Sequence, residues 1–140
     1  MGTQVAVKRL PGLPEEYPYF TEVMYIASTL RHPNILQFMG ATRVGPIMIL
    51  NEYIPMCTTL SEQLMVKHLQ NTDIINISRD VVSALNYLHF SRSESILHRD
   101  IRPKNVFLEQ SLYERWKGKL SNFGSASTVS YTHLTLPTKA

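Results

Sequence analysis

His98-Arg99-Asp100-Ile101-Arg102-Pro103-Lys104-Asn105 sets a carboxylate and a carboxamide five positions apart, with basic side chains between them, just after the short apolar run Ile96-Leu97. One tight loop can turn both groups toward a single point. The chemistry that needs such a pair is phosphoryl transfer. There a carboxylate stands beside the attacking hydroxyl, and an oxygen ligand holds a Mg²⁺ ion that neutralises the phosphates. Taken alone, the same residues also suit a solvated charge cluster on a turn, because an aspartate after an arginine is ordinarily a surface ion pair.

Three other stretches stand in a telling order: Val5-Ala6-Val7-Lys8, Leu30-Arg31-His32-Pro33-Asn34-Ile35 and Lys119-Leu120-Ser121-Asn122-Phe123-Gly124. With the loop above they resemble the protein kinase family. The loop is similar to its H-R-D-x-x-x-x-N catalytic loop, the first stretch to its V-A-I-K strand, and the last stands where K-[LI]-x-D-F-G belongs. The middle stretch resembles the turn that follows the family's first large helix. The resemblance covers about residues 2–126, and Leu36-Gln37-Phe38-Met39-Gly40-Ala41 looks most like the tyrosine-kinase-like group.

The resemblance implies an α+β, two-lobed kinase-like fold, with ATP and Mg²⁺ as cofactors and a protein hydroxyl as substrate. It implies that Asp100 accepts or orients the substrate hydroxyl proton, that Asn105 holds one Mg²⁺ through its amide oxygen, and that Lys8 reaches phosphate oxygens. Ala6 and Phe107 would sandwich the adenine ring. The Glu52 carbonyl and the Ile54 N–H would pair with it along the hinge Glu52-Tyr53-Ile54, which puts Asn51 at the gatekeeper position. Arg99 resembles the arginine that pairs with an activation-loop phosphate. Arg102 and Lys104 occupy the positions where serine/threonine and tyrosine kinases respectively carry a catalytic-loop base, so the class of hydroxyl stays open.

Two residues depart from the family pattern. Asn122 replaces the metal-binding aspartate, which removes a formal charge while keeping an oxygen of nearly the same shape. Hard cations favour carboxylate oxygens, so metal and ATP affinity should fall. In the first helix, counting back from His32 puts Val23 where an acid should pair with Lys8, with Glu22 one residue early. One helical residue is about 100° of rotation, enough to aim Glu22 away from the cleft. A local bulge or a one-residue insertion would restore it. Two readings therefore compete: an ATP-dependent phosphotransferase with impaired catalysis, and a pseudokinase that uses the fold as a nucleotide-binding scaffold or allosteric module.

The family's domain spans roughly 250–300 residues, within the range of a single large unit; this chain has 140. No G-x-G-x-x-G precedes Lys8, and no A-P-E follows Gly124. The expectation is a partial kinase domain over 1–128, inactive by itself, running from the V-A-V-K strand to just past the N-F-G motif. Val129-Ser130-Tyr131-Thr132-His133-Leu134-Thr135-Leu136-Pro137-Thr138 matches a translated sequencing-library adapter (gtc tct tat aca cat ctg acg ctg ccg acg), so 129–140 reads as a non-native tail.

Composition narrows the remaining classes. Hydrophobic content of 44% and charged content of 18% suit a globular protein. The net charge of +3 is spread out, without a basic run or an interleaved aromatic stripe, which speaks against nucleic acid. The histidines show no metal-ligand spacing with cysteine or acids, so zinc is disfavoured. No apolar run approaches the roughly 18 residues of a membrane span. The single cysteine, Cys57, forms no internal disulfide, which fits a reducing cytoplasm.

The elements follow from periodicity. Thr3–Leu10 alternates and is rich in valine, predicting a strand, and Pro11–Pro18 is a breaker-rich connection. Phe20, Val23, Met24, Ala27 and Leu30 predict a helix over Tyr19–Leu30. Ile35–Thr42 and Pro46–Tyr53 predict strands, and Leu60–Leu69 a weaker helix. Thr72-Asp73 offers an N-cap before a helix over Ile74–His89, whose Ile74, Ile77, Val81, Ala84, Leu85 and Leu88 form a core stripe. Ile96-Leu97, Val106–Leu108 and Gly118–Leu120 predict short strands framing the loop, and Trp116 should pack locally.

Overall fold

The alternating valines of Val5–Arg9 form β1, which runs antiparallel to β3 (Met48–Glu52); β2 (Phe38–Ala41) pairs with the other edge of β3. The structure is a computed structural model that describes residues 2–66 and 68–129. The register places Ala6 opposite Asn51 and Val5 opposite Glu52. Helix α1 (Phe20–Thr29) lies beside this sheet and buries Val23, Ile26 and Ala27. A proline-started 3-10 turn, Pro14–Glu16, leads into it.

Strand β2 is shorter than the apolar run Ile35–Thr42 predicts. Ile35 leaves that sheet and makes a parallel bridge to Leu120. Leu120 N–H donates to the Asn34 carbonyl and Leu36 N–H donates to the Leu120 carbonyl, so the start of the run is bonded to the strand carrying Lys119. Periodicity reports that a run is extended but not which partner its N–H groups find, which is why the boundary differs.

The second part of the chain is built on α3 (Asn71–Phe90). It begins before the expected cap: Gln70 precedes the helix, and Asp73 stands inside the first turn, accepting the Gln70 N–H at 3.1 Å. Asp73 therefore satisfies one of the orphan donors of the helix start from the third helical position. Ile77, Ala84 and Leu88 are buried and Val81 and Leu85 half-buried against the core, whereas Ile74 is 48% exposed. The stripe is core from its second member onward.

Against α3 packs the hairpin of β6 (Val106–Gln110) and β7 (Trp116–Leu120), closed over Ser111–Arg115, with Glu114 at φ +58°. Strand β4 (Thr58–Thr59) adds to the β6 edge and leads into α2 (Leu60–Val66). Trp116 is half-buried against the core, as expected of it. Leu88, Leu108 and Leu120 are fully buried, and burial of each such side chain is worth about 1.5–3 kcal/mol. The fold is α+β, with one small sheet beside α1 and a second, helix-backed part carrying the loop.

Strand β5 (Ser95–Leu97) pairs antiparallel with β8 (Ser127–Val129), not with the hairpin. Val129 lies opposite Ser95, so the first residue of the expected tail is a strand residue. The rest of that tail, 130–140, lies outside the described residues. Among the described residues, no helix is long and apolar enough to cross a membrane.

Candidate functional site

The segment between β5 and β6 is fixed from both sides. His98 is buried, its Nδ1 accepts the Asp100 N–H at 3.1 Å, and its Nε2 lies 2.7 Å from the Ser121 carbonyl. Because Nδ1 accepts, Nε2 carries the proton and donates it to Ser121. Burial holds the His98 pKa below the usual histidine range, opposed by the Ser121 carbonyl and the Asp100 carboxylate. The His98 ring also meets Phe123 edge-on, with centroids 4.9 Å apart. One neutral imidazole thus joins the loop to the segment after β7.

Within the loop, Asn105 Nδ2 donates to the Asp100 carbonyl at 2.8 Å and to Asp100 Oδ2 at 3.0 Å. Arg102 Nε holds the other oxygen, Asp100 Oδ1, at 2.9 Å. The Asn105 carbonyl accepts both the N–H and the hydroxyl of Ser121, at 2.9 and 3.0 Å. Asn122 Nδ2 donates to Asn105 Oδ1 at 3.3 Å. Two residues here have left-handed backbones: Arg99 at φ +69° and Asn122 at φ +61°. Asparagine tolerates that region, but arginine does so only under constraint, and such strain gathers at functional sites.

A cavity of about 710 Å³ opens between the small sheet and the hairpin. Ala6, Lys8, Asn51, Asn105, Phe107 and Asn122 all line it. Five of the residues singled out for chemistry or cofactor contact thus share one space: Ala6, Lys8, Asn105, Phe107 and Asn122. Asp100 stands off its lining, a quarter of its side chain exposed and turned toward Arg102. Glu52 and Ile54 do not line it either. Ile54 is buried, and the Glu52 carboxylate is drawn to Lys119.

Val23 is buried and lines the cavity, while Glu22 is exposed and faces a separate groove on the outer side of α1 with Arg43 and Phe38. No bulge restores Glu22, and Lys8 makes no ion pair among the described residues.

The chain is similar in sequence to known proteins. The Protein kinase domain family matches residues 2–138. The chain belongs to the protein kinase family. Among curated relatives, the chain is 33% identical over 135 residues to Serine/threonine-protein kinase 12 of Arabidopsis thaliana, covering 92% of the chain and 28% of that protein. It is 35% identical over 129 residues to Integrin-linked protein kinase 1 of the same plant, with 88% and 26% covered. It is 36% identical over 134 residues to Serine/threonine-protein kinase VIK, also of that plant, with 91% and 30% covered. The chain therefore spans less than a third of the length of these relatives.

In this kinase domain, sequence reasoning missed the side-chain partners that brace the site. Lys119 is 8% exposed and its ammonium binds both Glu52 oxygens, at 2.9 and 3.0 Å, with Glu109 at 3.9 Å. Asn34 Nδ2 donates to the Gly118 carbonyl at 3.0 Å, and Asp80 Oδ2 accepts the Gly118 N–H at 2.9 Å. The sequence signal for Lys119 was partial: a lysine on a strand between buried neighbours needs an acid, but nothing local says that the acid is Glu52.

The cavity's apolar walls at Ala6 and Phe107 and its lysine suit an adenine nucleotide. Its fit to a divalent cation is poor. The two groups where metal ligands belong are both neutral amides bonded to each other, and hard cations favour carboxylate oxygens.

Proposed function

We propose that this domain binds ATP in the cavity and that the protein it belongs to transfers the γ-phosphate slowly to a protein hydroxyl. The observation that carries the reading is the convergence of Lys8, Asn105, Phe107 and Asn122 on one cavity, with Asp100 tied to Asn105 at its edge. In this reading Ala6 and Phe107 hold the adenine ring, and the Glu52 carbonyl and Ile54 N–H pair with its edge. Lys8 holds phosphate oxygens. Asp100 orients the substrate hydroxyl and takes its proton, a role that requires an oxygen now bound by Arg102 or Asn105 to be released to substrate.

A Mg²⁺ ion, when bound, supplies charge neutralisation at the phosphates. Asn105 and Asn122 would be its ligands, and the neutral amide of Asn122, where the family carries a carboxylate, is the reason turnover is slow. A second reading, a pseudokinase that binds nucleotide and acts as a scaffold, is favoured by one observation: Val23 stands where an acid would hold Lys8.

Finer placements follow from the same resemblance. The stretch Leu36–Ala41 supports membership of the tyrosine-kinase-like group, and Cys57, free and exposed, suits a cytoplasmic protein. The domain assignment is a partial kinase domain over 1–128, with 129–140 derived from adapter sequence; an independent genomic read that diverges near Val129 bears this out, and one that continues through Thr138 refutes it. ATP and adenosine titrations test the nucleotide reading. Binding of both that is lost on filling the cavity with Ala6→Trp supports it, and no binding of either refutes it.

A further inference from the structure

Two side chains of the loop and one of the segment after β7 form a directed chain of donors and acceptors that leads to a carboxylate. Both the carbonyl and the Oδ2 of Asp100 are acceptors, so the face of Asn105 turned toward them must be its NH₂. That fixes Asn105 Oδ1 on the opposite side, toward Asn122. An acceptor there calls for a donor, and Asn122 presents Nδ2 at 3.3 Å. Its own Oδ1 turns back toward Gly124, within 3.3 Å of where a Cβ on that glycine would stand. The chain runs Asn122 to Asn105 to Asp100 with each donor meeting an acceptor, and it ends on the Arg102 guanidinium.

An aspartate at position 122 would set acceptor against acceptor across the same gap. That contact is repulsive until a cation stands between the two oxygens. The amide removes the need: its N–H does locally what a cation would do, and the loop closes without one. The charge inventory of the cavity points the same way. Among the described residues, its charged lining groups are Lys8, Lys104 and Glu16, two cations against one anion. With Val23 in place of an acid, Lys8 makes no ion pair among the described residues.

We infer that this domain binds adenine nucleotides as free polyphosphate anions, with the Asn122–Asn105 amide contact in place of a divalent cation and Lys8 and Lys104 facing the phosphates. The inference rests on the nucleotide-binding reading above and deepens it. It concerns binding, not turnover, and transition-state charge on the phosphates still lacks the neutralisation that fast transfer requires.

The test is equilibrium titration calorimetry of the chain with ATP, in excess EDTA and in excess Mg²⁺, with adenosine as the phosphate-free probe. The expected result is ATP affinity in EDTA at least equal, within about threefold, to that in Mg²⁺. Asn122→Asp should reverse the dependence, binding ATP at least about tenfold more tightly with Mg²⁺ than with EDTA. Lys8→Ala should weaken ATP in EDTA while leaving adenosine unchanged. ATP binding by the unaltered chain that appears only with Mg²⁺ overturns the inference and leaves the nucleotide reading standing. Absence of both ATP and adenosine binding under either condition overturns the nucleotide reading itself, and the inference with it.

Discussion

Lys119 Nζ lies 2.9 and 3.0 Å from the two carboxylate oxygens of Glu52, joining the hairpin below the cavity to the end of β3 above it. Directly opposite Lys119 on β6 is Phe107, so the ion pair stands on the same face as the proposed adenine floor. Glu52 Oε1 also accepts the Gln37 N–H at 2.9 Å, so three segments meet on one carboxylate. Removing the cation strands that carboxylate in a half-buried place. Lys119→Met should lower unfolding stability by about 1–3 kcal/mol, less than a fully buried pair because Glu52 keeps some water. Urea unfolding at neutral pH measures this; an unchanged midpoint would show the pair to be idle.

Acid should weaken the fold well before the carboxylates titrate. The pKa values of His98 and His32 are both lowered, His98 chiefly by burial and His32 by burial with the Lys117 charge adding to it. In the unfolded chain each titrates near ~6.5. Between the folded and unfolded values the unfolded state binds more protons, so stability is fully present above about pH 6.5 and falls as the pH drops below it. Each ring also accepts a backbone N–H at Nδ1, from Asp100 and Asn34, and protonation removes that acceptor. Denaturant midpoints should therefore decline from about pH 7 to about pH 5. A flat profile over that interval would contradict the assignment.

Much of the site was legible because its chemistry is local. The Asp100–Asn105 pair lies on one loop, five positions apart, and its two side chains meet at 3.0 Å. The outward turn of Glu22 was legible too, since counting along one helix needs no partner. What the sequence hid were pairings across long separations. Glu52 and Lys119 are 67 positions apart, and nothing local in either stretch names the other. The pairing of β5 with β8 was missed for the same reason: Ser127–Val129 is too short and too polar to register as a strand until Ser95–Leu97 supplies its partner. The early start of α3 reflects a different limit. Asp73 can cap as the residue before a helix, accepting an N–H further along, or from inside its first turn, accepting the Gln70 N–H, and the residue type alone does not say which.

Position 23 gives a test of the helix phase. Because Val23 is buried and lines the same cavity as Lys8, Val23→Glu should turn a carboxylate into the space that holds the lysine. A double-mutant cycle with Lys8→Met should give a favourable coupling of about 0.5–2 kcal/mol, and the same cycle run with Glu22→Ala should give none. Coupling at Glu22 in place of Val23 would mean that the helix presents the other face.

On the proposed reading, the family's phosphoryl-transfer site is formed here and limited by the Asn122 amide. The measurement that tests it most directly is steady-state transfer from Mg²⁺-ATP to a protein acceptor by the whole protein, comparing the unaltered form with Asn122→Asp. The expected gain is on the order of 10²-fold, the size of one restored electrostatic contact, which Asp100→Ala then abolishes. No gain from Asn122→Asp, or a gain that survives Asp100→Ala, would contradict it.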